Sequence, residues 1–439
     1  MPEPERERDP EPLLAAAYRA AVTGADAYRA VRAALRIERG ILRVGNRFLP
    51  ASRFRDIAFV ALGSASASFA LAANEALGER LSAGFVAGPV PLPPSVPFRS
   101  APLAPGAPGS RAGRACANSV LELAAELGPE DLLVVLLSPG ALAGLSEPPA
   151  GMDGGAWGTL LSRAAQVRSA ASASRIARVY GGGAAGGRLA AATRAQVETL
   201  IVDDGSGPET IGGGPTIPIA PGEEAEARAA LTALGTSLDG PPLSASATRA
   251  GLQRPVVVAN PADAIRAAGD ALVDRRWITR LGTLSTPLGP EAAAELLVRR
   301  SEEELAALGG RIPSGGERGR SGSVGLAVFQ GSTLGGFEGA RAAGATRAFL
   351  DEARRRTSRR DVTIALLPTA GAPEGSPAGA FARWDRGGAA LDGMLPMREG
   401  VTDVGAVAIL LLPAGVESPG QRLSSSTSPG SRPAARSGA

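Results

Sequence analysis

Ile57-Ala-Phe-Val-Ala-Leu-Gly-Ser-Ala-Ser-Ala-Ser68 is an unbroken apolar run, then a turn of small residues, then the opening of an alanine-rich stretch that reaches Leu81. A short run that is apolar on successive residues fits a strand covered on both faces. The stretch after it reads as a helix over 66–81. A buried strand, a small-residue turn and a helix start form the geometry that offers backbone N–H groups to an anion. The same segment also reads as an ordinary strand-to-helix turn with serine as N-cap.

The pattern repeats on both sides of this segment. Further strands are expected at 84–90, 132–137, 199–202, 256–259, 324–329, 362–367 and 404–412. Helices are expected between them, at 13–36, 110–127, 160–179, 188–197, 221–234, 262–276, 290–308, 336–356 and 378–391. Strands alternating with helices argue for an α/β protein with mainly parallel sheets and flanking helices. Composition breaks divide the chain. The segment 311–323 is rich in Gly, Ser and Arg and reads as a linker, and the stretch from Glu417 onward reads as a disordered tail. The expected division is a tail at 1–12, a larger Rossmann-like domain at 13–310, a linker at 311–323, a smaller α/β domain at 324–415 and a tail at 416–439.

Composition narrows the chemistry. The 439 residues contain no histidine, and every basic side chain is an arginine. A Ser-His-Asp triad, a His-ligated zinc site, a P-loop and lysine Schiff-base chemistry are therefore excluded. The net charge is only +3, although the pI is about 9.7. Few groups titrate between the carboxylates and tyrosine, so a small excess of arginine carries the pI far up. That pI is no argument for a nucleic-acid partner. One cysteine cannot build a disulfide framework or a cysteine metal cluster, and no metal site is expected. The apolar runs, such as Leu132–Leu137, are too short to span a bilayer. No membrane partner is expected, and a cytoplasmic location follows.

Three further segments carry candidate chemistry. Gly181, Gly183 and Gly186 fit G-x-G-x-x-G before a helix, and Asp203 and Asp204 follow on a strand end. This is near the spacing of a dinucleotide-binding fingerprint, but residues 172–180 read as helix where the fingerprint needs a strand. Asp203-Asp-Gly-Ser-Gly-Pro-Glu-Thr-Ile-Gly-Gly-Gly-Pro-Thr216 sets acids before a glycine-rich loop. Such acids hold a hydrated cation or orient a hydroxyl, and they equally suit a solvated turn. Arg354-Arg-Arg-Thr-Ser-Arg-Arg360 reads as a charged helix end.

Taken in order, these pieces resemble the glycerate 2-kinase family, whose members carry a C-terminal MOFRL domain. The likeness runs from about Leu13 to Leu412 and lies more in order and spacing than in motif identity. The family's Gly-Ala-Gly-Lys-Ala turn looks like Gly63-Ser-Ala-Ser-Ala67, which sets Ser66 where the catalytic lysine stands. Its His-Pro-Val-Pro-Asp segment looks like Ala104-Pro-Gly-Ala-Pro108, without the His and Asp. Its phosphate loop is similar to Ser138-Pro-Gly-Ala-Leu142, which nominates Ser138 and Gly140 for binding with Gly63. A basic segment ending Gly-Gly-Arg-Leu-Ala resembles Arg178–Ala190, which nominates Arg178, Gly187 and Arg188. The Ser-Asp-Val strand end looks like Val202-Asp-Asp204, pointing to Asp203, and Ser-Gly-Pro-Thr is close to Gly213-Gly-Pro-Thr216, pointing to Thr216. In the second domain Gly-Gly-Arg-Asn-Gln is similar to Gly335-Gly-Phe-Glu-Gly339, so Phe337 stands where the second catalytic cation would be.

The resemblance implies two α/β domains, a site that takes Mg²⁺ and ATP if the chain is active, and transfer of phosphate to the 2-hydroxyl of D-glycerate. A glycerate-like small molecule is the implied substrate, and a homodimer is compatible with the pattern. Phosphoryl transfer depends on cations that neutralise the transferred group, and each such contact is worth about 3–4 kcal/mol. With both cations missing from the matching positions, an impaired enzyme or pseudoenzyme is the expected reading. An active kinase that draws on Arg175, Arg178 or Arg188 is the alternative, and a nicotinamide-dependent oxidoreductase using Gly181–Gly186 is a third.

Overall fold

The computed structural model describes residues 10–89, 92, 98–102, 108–238, 254–282, 289–310, 312, 325–332, 340–357, 362–368, 380–385, 388–394 and 406–414. The expected tail over 416–439, nearly all of the expected linker 311–323, and Phe337 lie outside these residues.

The first sheet has six parallel strands in the order 256–259, 196–202, 132–137, 57–62, 81–88 and 99–102. Its centre is the pair Ile57–Leu62 and Leu132–Leu137, buried at every position. The two-residue period of a strand explains why the whole run is apolar. Ile57, Phe59 and Ala61 face one core with Leu132, Val134 and Leu136. Ala58, Val60 and Leu62 face the opposite core with Leu133, Val135 and Leu137. Phe69, Ala70 and Ala73 of the helix Ser66–Leu77 cover the first face. Cys116, Val120 and Ala124 of the helix Arg111–Glu126 cover the second.

The second sheet also has six strands, in the order 277–282, 325–332, 406–413, 363–368, 380–385 and 388–394. Only its first pair is parallel, so the expectation of mainly parallel sheets holds for the first sheet and not here. The helix expected at 378–391 is a hairpin of the strands Ala380–Asp385 and Gly388–Met394. Alanine and leucine suggested a helix there, but cross-strand pairing overrides propensity. Trp277–Gly282 belongs to this second sheet, so the second unit begins well before the boundary drawn near residue 310. Alternation again splits the faces. Ala327, Phe329, Ala365, Leu367, Ile409 and Leu411 share one core with the first sheet, while Leu326, Val328, Ile364, Leu366, Leu410 and Leu412 face the helices Pro290–Ala307 and Ala340–Arg356.

Two helices join the sheets. Pro10–Gly24 packs against Pro261–Val273, and Leu14, Ala17, Ala21, Ile265 and Leu272 lie in the same core as residues of both sheets. The expected tail at 1–12 therefore ends sooner, since helix begins at Pro10. The single helix expected at 13–36 is two helices, split at Ala25-Asp26, followed by a strand at Leu35–Glu38. Asp26 caps the second helix through the Arg29 N–H. Three short antiparallel strands at 35–38, 41–44 and 47–50 follow, and Arg47 ties them to the main sheet by a hydrogen-bonded ion pair with the buried Glu198. The long helix expected at 160–179 is likewise two, 154–167 and 170–180, with Ser169 capping the second. The helix expected at 188–197 stops at Ala192, because Gln196 already pairs with Leu132.

Candidate functional site at the switch point of the first sheet

All six strands of the first sheet point the same way, so their C-terminal ends share one edge. The chain fills the sheet outward from 57–62 to 81–88 and 99–102, then returns to 132–137 on the other side of 57–62 and proceeds away. The direction of winding reverses between Leu62 and Leu137. In open parallel sheets the crevice outside such a reversal is where ligands bind. The two loops that leave this point are Gly63–Ala65 and Ser138–Gly140.

These loops are tightly joined. Gly63 has φ +105°, and a Cβ there would lie 2.4 Å from the Ser138 carbonyl oxygen. Only glycine fits. The Ser64 N–H donates to the Pro139 carbonyl at 2.9 Å, and the Ala65 N–H donates to Ser138 Oγ at 3.0 Å. Ser138 Oγ in turn reaches the Leu62 carbonyl at 3.2 Å. The first two amides of the expected anion cradle are thus committed to the neighbouring loop. The Ser64 and Ser66 hydroxyls are buried without a hydrogen-bond partner among the described residues. Ser66 is 1% exposed and lies against Gly88, where an added Cβ would come within 1.9 Å of its Oγ. The family resemblance made Ser66 and Ser138 visible in the sequence. Ser64 and Gly88 carried no signal, because their roles arise from contacts across three strands.

Asp203 stands on the same edge, one strand further on. Its N–H donates to the Ala259 carbonyl at 2.9 Å, and its Oδ1 accepts from Gly205 and Gly207 at 3.0 and 3.1 Å. Burial, followed by the charge on Asp204, raises its carboxyl above the ordinary value, against the pull of the Gly207 and Gly205 amides. The next strand, Val256–Ala259, is followed by Asn260, which is committed to a capping box with Asp263. No group of three metal-ligating side chains occurs among the described residues.

The other nominated residues form a separate cluster that shapes the loop 205–218. Arg178 is 1% exposed, and all five of its N–H donors meet protein groups. It makes a two-pronged bridge to Glu223 at 2.7 and 2.9 Å and reaches the carbonyls of Gly213, Gly214 and Pro218 at 3.3, 3.4 and 3.0 Å. Arg188 donates to the carbonyls of Gly181, Gly182, Gly183 and Arg178. Burial, then the Arg178 charge, draws the Arg188 guanidinium down to about 10. Arg175 pairs with Glu226 at 2.9 Å. Gly187 has φ +81° and leads into the helix Arg188–Ala192, its N–H donating to Gly214 at 2.9 Å. The Thr216 hydroxyl is buried against the Thr199 hydroxyl at 2.8 Å. Arg178, Arg188, Gly187 and Thr216, nominated as ligand contacts, thus occupy scaffold positions. The dinucleotide fingerprint fails outright: a helix, Ala170–Tyr180, precedes Gly181, and Gly182–Gly183 pairs only with Ser146–Glu147.

A sequence profile of the family described as Domain of unknown function (DUF4147) matches residues 13–244. The chain belongs to that family. Two solved structures share its fold. One is a glycerate kinase from Thermotoga maritima, with TM-score 0.63 and 18% identity over 91% of this chain and 99% of that one. The other is the PH0495 protein from Pyrococcus horikoshii OT3, with TM-score 0.60 and 15% identity over 92% of this chain and 99% of that one. No curated protein matches the chain. No helix among the described residues is long and apolar enough to cross a membrane.

Proposed function

We propose that this DUF4147 protein keeps the scaffold of a glycerate 2-kinase, has lost most or all of its phosphoryl-transfer chemistry, and acts in the cytoplasm as a binding or regulatory protein for a small hydroxy acid. The observation that carries this reading is at the switch point. Ser66, where the resemblance puts the family lysine, is buried against Gly88 with a neutral hydroxyl. The amides beside it are already bonded to Ser138 and Pro139.

The described residues around the switch point do not fit a magnesium–triphosphate group. A triphosphate needs cationic or amide donors facing it. The arginines that could stand in, Arg175, Arg178 and Arg188, hold Glu226, Glu223 and a row of backbone carbonyls. No reaction step is therefore assigned to ATP here. The active-kinase reading would require Arg178 to leave the shielded Glu223 and Arg188 to leave a row of backbone carbonyls, which their geometry disfavours, while the pair of Arg175 with Glu226 is more exposed.

The test is a coupled assay for 2-phosphoglycerate with the purified full chain, Mg²⁺-ATP and D-glycerate, run beside Asp203→Ala. No turnover at high enzyme concentration is expected. Turnover that Asp203→Ala abolishes would overturn the proposal.

A further inference from the structure

A second concave site lies away from the switch point. It is a cleft of about 630 Å³ between the segment 108–114 and the helix Gly154–Val167. Its lining includes Arg111, Arg114 and Arg163 and contains no carboxylate. None of the residues that line it belongs to the Gly63, Ser138 or Asp203 loops.

The charge pattern is what distinguishes this cleft. The chain has 46 basic and 43 acidic side chains, and several of its arginines are matched locally. Arg47, Arg55, Arg175, Arg178, Arg228, Arg280 and Arg356 all hold carboxylates. Arg111, Arg114 and Arg163 hold none among the described residues. Guanidinium groups stay protonated at any working pH, so three of them facing one cleft repel each other without relief by proton loss. A bound anion is the natural compensation.

The placement is also ordered. Arg111 and Arg114 are three residues apart on one helix and therefore share a face. Ser110 caps that helix, its Oγ accepting from the Gly113 N–H at 3.0 Å, so the segment is held in register. Gly113 sits against the Ala143 carbonyl, which fixes the helix start from below. On the facing helix Gly155, Thr159, Ser162 and Arg163 line the cleft in a helical stripe. Glycine and small hydroxyl residues beside arginines allow close approach of a phosphate, which arginine binds in a forked geometry. The volume suits a small molecule.

We infer that the cleft between Arg111, Arg114 and Arg163 binds a small polyanion bearing at least two phosphoryl groups. The inference stands on this cleft alone and does not depend on the kinase reading. The test is calorimetric titration of the full chain with pyrophosphate and, separately, with ATP, without magnesium and at constant ionic strength. Citrate serves as a polyanion lacking phosphate. Pyrophosphate is expected to bind, with citrate at least tenfold weaker. Removing a charged hydrogen-bond donor costs about tenfold in affinity. Arg163→Ala should therefore weaken pyrophosphate about tenfold and the triple variant R111A/R114A/R163A by a hundredfold or more. Arg354→Ala, on the exposed helix end, should leave binding unchanged. Tighter binding of ATP than of pyrophosphate would point to a nucleotide, and equal binding to a phosphate group alone. Both support the inference. No binding at millimolar pyrophosphate, unchanged affinity in the triple variant, an equal loss in Arg354→Ala, or citrate as tight as pyrophosphate would each overturn it. All three arginines are exposed, so the variants should fold.

Discussion

Replacing Arg178 separates a scaffold role from a ligand role. Arg178→Met keeps length and apolar bulk but removes the ion-pair partner of Glu223 and one donor from each of three carbonyls, of which Gly213 and Gly214 keep the backbone N–H groups of Gly186 and Gly187. The pair is well shielded, with side-chain exposures of 2% for Arg178 and 15% for Glu223. Removing one partner of a buried ion pair costs roughly 3–5 kcal/mol. At about 2–4 °C per kcal/mol, the melting temperature should fall by roughly 10 °C. The loop it grips should be the first to loosen. Gly212, Gly213 and Gly214 all have positive φ, so this turn has no regular hydrogen-bond ladder of its own.

The same pair sets a pH dependence. Burial works to raise the Glu223 carboxyl, but its bonds to Arg178 and the Ala220 N–H, with the charges of Arg178 and Arg175, outweigh it and hold the group below its ordinary value. A carboxylate depressed in the folded state adds stability that is fully present above its unfolded value, about 4.3. That contribution is lost as pH falls through the lower, folded value. The gap between the parent and Arg178→Met should thus be widest near neutrality and close under acid. Urea denaturation at a series of pH values measures it, and a double-mutant cycle with Glu223→Gln isolates the pair. A loss under about 1 kcal/mol at neutral pH, or a loss that does not change with pH, would refute the scaffold argument and return Arg178 to the ligand-binding candidates.

Two other measurements probe the packing around the switch point. Gly88→Ala places a methyl 1.9 Å from Ser66 Oγ and 2.6 Å from the Gly63 carbonyl, so a loss of about 2 kcal/mol or more is expected in thermal unfolding. Adding Ser66→Gly should restore only part of it, since the Gly63 clash remains; full recovery would show that the backbone moves freely here. Cys116 is 1% exposed, and burial pushes its thiol up to about 12. It should resist a thiol reagent at pH 8 in the native chain and react fully in denaturant. Rapid native labelling would show that the core beneath the helix 111–126 opens readily.

Much of the first sheet could be read from the sequence, because doubly covered strands declare themselves by composition alone. Ile57–Leu62, Leu132–Leu137 and Val256–Ala259 fall where their apolar runs predicted. The second sheet was harder. Trp277–Gly282 carries Thr and Arg at partly exposed positions, so no apolar run marked it. The hairpin 380–394 is rich in alanine and glycine, residues that favour no strand until a partner strand is present. The helix breaks near residues 25 and 169 rest on single polar caps, Asp26 and Ser169, set in long alanine-rich stretches. For the site, the turn Gly63–Ser66 and the strand end at Asp203 were legible as positions. What their polar groups bind was not: the Ser64 and Ala65 amides meet the loop after another strand, and the Asp203 carboxylate turns back to the Gly205 and Gly207 amides of its own loop.

The lack of lysine gains a physical meaning from these partners. Several arginines, one of them fully buried, act on backbone carbonyls. Arg178 and Arg188 together bridge glycine carbonyls from 181 to 214, Arg80 clamps the Ala51 and Phe54 carbonyls at 3.1 and 2.7 Å, and Arg300 holds the Leu281 carbonyl at 2.7 Å. A planar guanidinium with five donors can satisfy several carbonyls of a glycine-rich turn at once. An ammonium has three donors on a flexible stem and cannot span them in a fixed geometry. A chain with 58 glycines has many turns that need such a clamp. Arginine at these positions is a structural residue. Arg111, Arg114 and Arg163 differ in that they hold no carboxylate among the described residues and line one cleft together, and that shared cleft is what calls for a partner from outside the chain.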